Sequence, residues 1–91
     1  MQQKYVFDRI AMSMDLPSEP TPGQTVVEMF GYSRLIVENH LGISQYSDEQ
    51  IVVNANFGMI NIKGNRLYIA RMSNDRLIIC GCIDCIETTR R

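Results

Sequence analysis

The chain has 91 residues, 45% hydrophobic and 21% charged, with ten acidic against nine basic side chains for a net charge of −1. A domain this short buries only about 60–65% of the surface its unfolded form exposes, so one packed core with a thin margin of stability is expected. Balanced, scattered charge gives no field for gathering nucleic acid or anionic lipid, and no window supplies the ~20 apolar residues of a spanning helix or the apolar run of a secretory leader. Three cysteines cannot form a closed disulfide set within one chain, which fits free thiols in a reducing compartment. A cytoplasmic protein is the expectation.

From Tyr5 to Met14 the apolar residues Val6, Ile10 and Met14 recur every fourth position, which predicts a short amphipathic helix. The connector from Leu16 to Gly23 holds Pro17, Pro20 and Pro22, each lacking a backbone donor and disfavouring helical geometry in the residue before it. Residues 1–23 therefore read as a helical arm with a proline-rich connector, and residues 24–91 as a β domain. Strand-length runs follow at Thr25–Phe30 and Arg34–Glu38, bounded by Gly31 and by Asn39-His40, then a short polar strand at Gly42–Tyr46 and a turn at Ser47–Glu49. Ile51, Val53, Ala55 and Phe57 alternate with polar or smaller neighbours, the period of a half-buried strand.

Beyond Gly58, the runs Met59–Lys63 and Arg66–Ala70 flank Gly64-Asn65. A two-residue loop of this kind predicts a tight hairpin with Gly64 at positive φ in a type II′ turn. Ser73-Asn74-Asp75 predicts the next turn, and Gly81, inside the run from Arg76 to Glu87, a bulge or bend. The expected architecture is an antiparallel β-meander of about seven or eight short strands forming a sandwich or a partly open barrel. The echo between Gly58-x-Ile60-x-Ile62-x-Gly64 and Leu77-x-Ile79-x-Gly81-x-Ile83 leaves a short β-solenoid as the alternative.

Little in the sequence suggests chemistry. Cys80, Cys82 and Cys85 with His40 have the composition of a Cys₃His zinc set, and a small zinc-binding regulatory module is the competing function. Against it, strand alternation puts Cys85 on the face opposite Cys80 and Cys82 unless a bulge intervenes, and strand cysteines mostly serve packing. Cys82-x-x-Cys85 lacks the helix N-terminus that activates a redox pair. His40 follows Glu38-Asn39, with no nucleophile in evident reach, and reads as a turn residue; no phosphate-cradling glycine loop is present. The seven tyrosines and phenylalanines lie among mixed charges rather than in a basic groove. The expectation is no catalytic residue, no cofactor, no small-molecule substrate and no nucleic acid. A protein interface is expected instead, because the run Leu77-Ile78-Ile79-Cys80 is apolar on both faces. Ile78, Cys80 and Ile86 share one strand face by simple alternation, opposite Leu77, Ile79 and Ile83. With Val6 and Ile10 on the arm, they are the interface candidates, facing a partner or a second copy.

The ordered set Asp15-Leu16-Pro17, Leu35-Ile36-Val37-Glu38-Asn39-His40 with Gly42-Ile43, Ile51-x-Val53, Gly58-Met59-Ile60-Asn61-Ile62-Lys63-Gly64-Asn65-x-Leu67 and Leu77-x-Ile79-x-Gly81 with Ile83 and Ile86 resembles the YabP/YqfC family of sporulation proteins, more closely its YqfC branch. The resemblance spans Asp15 to Glu87, and the three cysteines lie outside its pattern. It implies a non-enzymatic protein made in the mother cell of an endospore-forming bacterium. Such a protein acts in spore envelope assembly, in the cortex or coat, as adaptor or partner of a membrane-embedded sporulation protein that holds it at the forespore membrane surface.

Overall fold

The computed structural model describes residues 23–91, and the arm predicted over residues 5–14, with Val6 and Ile10, lies outside them. The described residues form six strands: β1 (Val26–Phe30), β2 (Arg34–Glu38), β3 (Ile43–Tyr46), β4 (Gln50–Ala55), β5 (Gly58–Met72) and β6 (Arg76–Arg90). All pair antiparallel in one open sheet of order β1-β2-β6-β5-β4-β3. The fold is mainly β, with no helix among the described residues.

Two strands are far longer than their sequence segments suggested. Gly64 and Asn65 do not make a hairpin turn but lie inside β5, and the left-handed residue there is Arg66, at φ 54°. Both runs that flank Gly64-Asn65 pair with β6, which is 15 residues long and offers each a partner, so neither folds back on the other. The same continuity through Gly81 joins Arg76–Cys80 to the residues beyond it. Merging these segments reduces the expected seven or eight strands to six among the described residues.

The two long strands hold the fold together through three shifts of register. Lys63 faces Cys85 while Gly64 faces Ile83, so Asp84 is an extra residue on β6. Asn65 faces Cys82 while Tyr68 faces Cys80, so Arg66 and Leu67 together oppose Gly81. Bulges bend a strand and increase its twist. The close approach also explains the glycines. A Cβ at Gly64 would run into the backbone carbonyl of Cys82, and one at Gly81, where φ is +133°, would stand 2.5 Å from the Arg66 carbonyl oxygen.

The bulges divide the sheet into two halves that share the long hairpin. One contains β1, β2, the first part of β6 and the last part of β5; the other contains the rest of β5 and β6 with β4 and β3. Their inner faces meet in one core: Leu35, Val37, Leu67, Leu77 and Ile79 from the first half join Ile51, Val53, Ala55, Ile60 and Ile62 from the second, with Ile83 near the bend. Hydrogen bonds tie the far ends together. The Asn56 amide donates to Thr25 Oγ1 at 3.0 Å, Thr25 Oγ1 donates to the Asn39 carbonyl at 2.8 Å, and the Leu41 amide donates to the Asn54 carbonyl at 2.8 Å.

Candidate interaction surface

His40 is buried in the connection between β2 and β3. Its Nε2 lies 2.9 Å from the Ser73 carbonyl oxygen, and its Nδ1 lies 3.0 Å from the Gly42 amide. A carbonyl can only accept and an amide can only donate, so Nε2 carries the hydrogen and Nδ1 supplies its lone pair to Gly42. No lone pair is left for a metal. The ring pins the β2–β3 connection to the turn between β5 and β6, and both nitrogens are committed to that role. Replacing His40 with alanine leaves the Ser73 carbonyl and the Gly42 amide without these partners. A loss of about 2–3 kcal/mol is expected in urea denaturation, with glutamine restoring part of it.

The cysteines sit elsewhere. Cys82 and Cys85 are exposed and Cys80 is partly buried, all three as free thiols. The Asp84 bulge intervenes between Cys82 and Cys85 and brings Cys85 to the outer face with the other two, so the alternation that separated them does not hold. Among the described residues no three His, Cys, Asp or Glu side chains converge as metal ligands, and His40 is not brought to the cysteines.

The same bulge corrects the expected strand faces. Ile86 does not share a face with Ile78 and Cys80. It faces Ile62 across the β5–β6 ladder and packs against the core. Ile78 and Cys80 remain on the outer face, where register builds two rows across the first half-sheet. One row is Phe30, Arg34, Cys80 and Tyr68; the next is Glu28, Ile36, Ile78 and Arg71.

Ile36, itself buried, and the half-buried Ile78 make an apolar centre, and the groups around it are aromatic or charged. The Arg34 guanidinium carbon lies 5.2 Å from the Phe30 ring centroid, in cation–π range, while Phe30 and Tyr68 stand about half exposed. At one margin Arg76 and Glu38 approach to 4.0 Å; with both side chains about half exposed, the pair contributes about 0–1 kcal/mol and serves solubility more than stability. Beyond Cys80, where β6 turns at Gly81, a shallow groove is lined by Tyr32, Ser33, Cys82, Ile83 and Asp84.

An apolar centre with tyrosine, phenylalanine and arginine around it has the composition of a protein-binding surface. The sequence pointed to Ile78 and Cys80 through their doubly apolar strand. It gave no sign of Phe30, Arg34 and Tyr68 as their neighbours, because that neighbourhood depends on β2 pairing with β6 across the 37 residues between them.

No curated protein and no solved structure gave a significant match. Among the described residues no helix is long and apolar enough to cross a membrane. The YabP family model matches residues 22–91, a span that contains the whole described sheet. The chain belongs to the YabP family.

Proposed function

We propose that this protein acts in spore envelope assembly in the mother cell as a non-enzymatic adaptor, with the outer face around Ile36 and Ile78 docking on a membrane-embedded sporulation protein. YabP family membership supports a role in sporulation. The observation that carries the adaptor reading is the apolar-centred outer face flanked by Phe30, Arg34 and Tyr68. His40 fits it too, since its ring nitrogens are taken up by main-chain groups of turns and connections. In this reading the chain is a cytoplasmic component held at the forespore surface by its partner.

A fluorescent fusion tests the proposal in an endospore-forming host that encodes the protein. The fusion is expected only in sporulating mother cells, as a ring around the forespore. Ile78→Lys should keep the fold, because the side chain points away from the core and outward substitutions usually cost under about 0.5–1 kcal/mol. It should nevertheless disperse the ring through the mother-cell cytoplasm. Expression in vegetative cells, or an unchanged ring with folded Ile78→Lys, would count against the proposal.

A further inference from the structure

The last part of β6 is paired on one side only. From Cys85 to Arg90 it lies against β5, but β2 pairs only as far as Cys80 and the turn before β2 reaches only to Ile83, whose amide donates to the Tyr32 carbonyl at 2.8 Å. Among the described residues no strand covers the other side. The direction of its backbone groups follows from one bond. The Arg91 amide donates to the Phe57 carbonyl at 2.9 Å, and the register from Cys85 to Arg90 is unbroken. Antiparallel alternation then turns the N–H and C=O groups of Ile86, Thr88 and Arg90 away from β5. This is an open edge, free of proline and bulge, with β-branched residues at 86, 88 and 89. Such edges are templates for another strand.

Charge indicates which strand. The edge begins acidic, with Asp84 and Glu87, and ends basic, with Arg90 and Arg91. Antiparallel pairing with an identical edge sets each acidic end beside a basic one, whereas parallel pairing sets like beside like. We infer that two copies of this chain associate by pairing these edges across a two-fold axis at Thr88, joining their β3-β4-β5-β6 half-sheets into one continuous sheet.

In that register Thr88 faces Thr88, Ile86 faces Arg90 and Glu87 faces Thr89, with Glu87 diagonal to Arg91 of the second copy. Side chains on each face stay matched, and all three outward residues bond, giving about six new backbone hydrogen bonds. An axis at Glu87 would oppose two carboxylates directly, which disfavours it. Within each copy Lys63 lies 3.4 Å from Glu87 and further offsets acidic charge at the seam. The seam is separate from the outer face around Ile78 and does not depend on the adaptor reading.

Sedimentation velocity of the full chain under reducing conditions tests the inference, since reductant removes any association through the exposed thiols. At about 100 μM the wild type is expected to sediment as a dimer that weakens as salt is raised. Thr88→Pro should be a monomer with an unchanged circular dichroism spectrum, because the amide it removes bonds nothing within the chain and proline is tolerated on a strand edge. A second measurement needs no variant: the amides of Ile86, Thr88 and Arg90 should gain hydrogen-exchange protection as protein concentration rises. A wild type that stays monomeric at that concentration overturns the inference. So does a folded Thr88→Pro that still dimerises, or an absence of concentration-dependent protection at these three amides.

Discussion

Replacing Gly81 with alanine is expected to destabilise the protein by about 3–5 kcal/mol. Two costs combine. The new Cβ would stand 2.5 Å from the Arg66 carbonyl oxygen and 2.9 Å from the Leu67 Cα, both main-chain atoms of the opposing strand that cannot swing aside. Overpacking of that kind costs about 1–3 kcal/mol, and holding a side-chain-bearing residue at φ +133° adds about 1–3 kcal/mol. A natural domain has only about 0.05–0.15 kcal/mol of stability per residue to offset them. Gly42 provides the control. Its φ of +105° is also left-handed, but a Cβ there meets nothing within 4 Å, so Gly42→Ala should carry the strain alone, about 1–3 kcal/mol. Urea midpoints of the two variants separate the effects. Equal shifts would mean that β5 and β6 do not approach closely at Gly81.

Ile79→Ala should cost about 3–4 kcal/mol, while Ile78→Ala, one residue away, should cost under about 1 kcal/mol. Ile79 is completely buried, and its cross-strand neighbours Leu35 and Ile69 belong to the core or pack against it, so truncation leaves a cavity that the surrounding ladders cannot easily close. Ile78 sits on the outer face beside Ile36, and alanine there removes apolar cover without opening the core. Parallel denaturation series would show the contrast directly. A reversed order would put β6 one residue out of register and exchange its two faces.

The strands were legible where local chemistry acts alone. The runs at Val26–Phe30 and Arg34–Glu38, the alternation of Ile51, Val53 and Ala55, and the turn at Ser73–Asp75 all express themselves within a few residues. Gly64-Asn65 misled because a glycine before asparagine, between two alternating runs, carries the same local signature in a tight turn and in a bulge. What distinguishes them is the partner strand. β6 is long enough to pair with both runs, and Gly64 is small because the Cys82 carbonyl passes beside it rather than because its φ is positive. The two faces of β6 were legible in part for a related reason. Alternation placed Ile78 and Cys80 correctly on the outer face, but it cannot count through a bulge, so Asp84 moved Cys85 outward and Ile86 inward. His40 read as a turn residue from Asn39 and Gly42 around it, while its bond to Ser73, 33 positions away, belongs to the fold alone.

The claim that the protein serves spore envelope assembly through its outer face is tested most directly by an in-frame deletion in a sporulating host, scored as heat-resistant spores. The deletion should sharply lower the heat-resistant fraction without affecting vegetative growth. Wild-type protein supplied in the mother cell should restore it, whereas Ile78→Lys, shown to be folded and present at normal level, should not. Heat-resistant spores at the parental level in the deletion strain, or full restoration by Ile78→Lys, would contradict it.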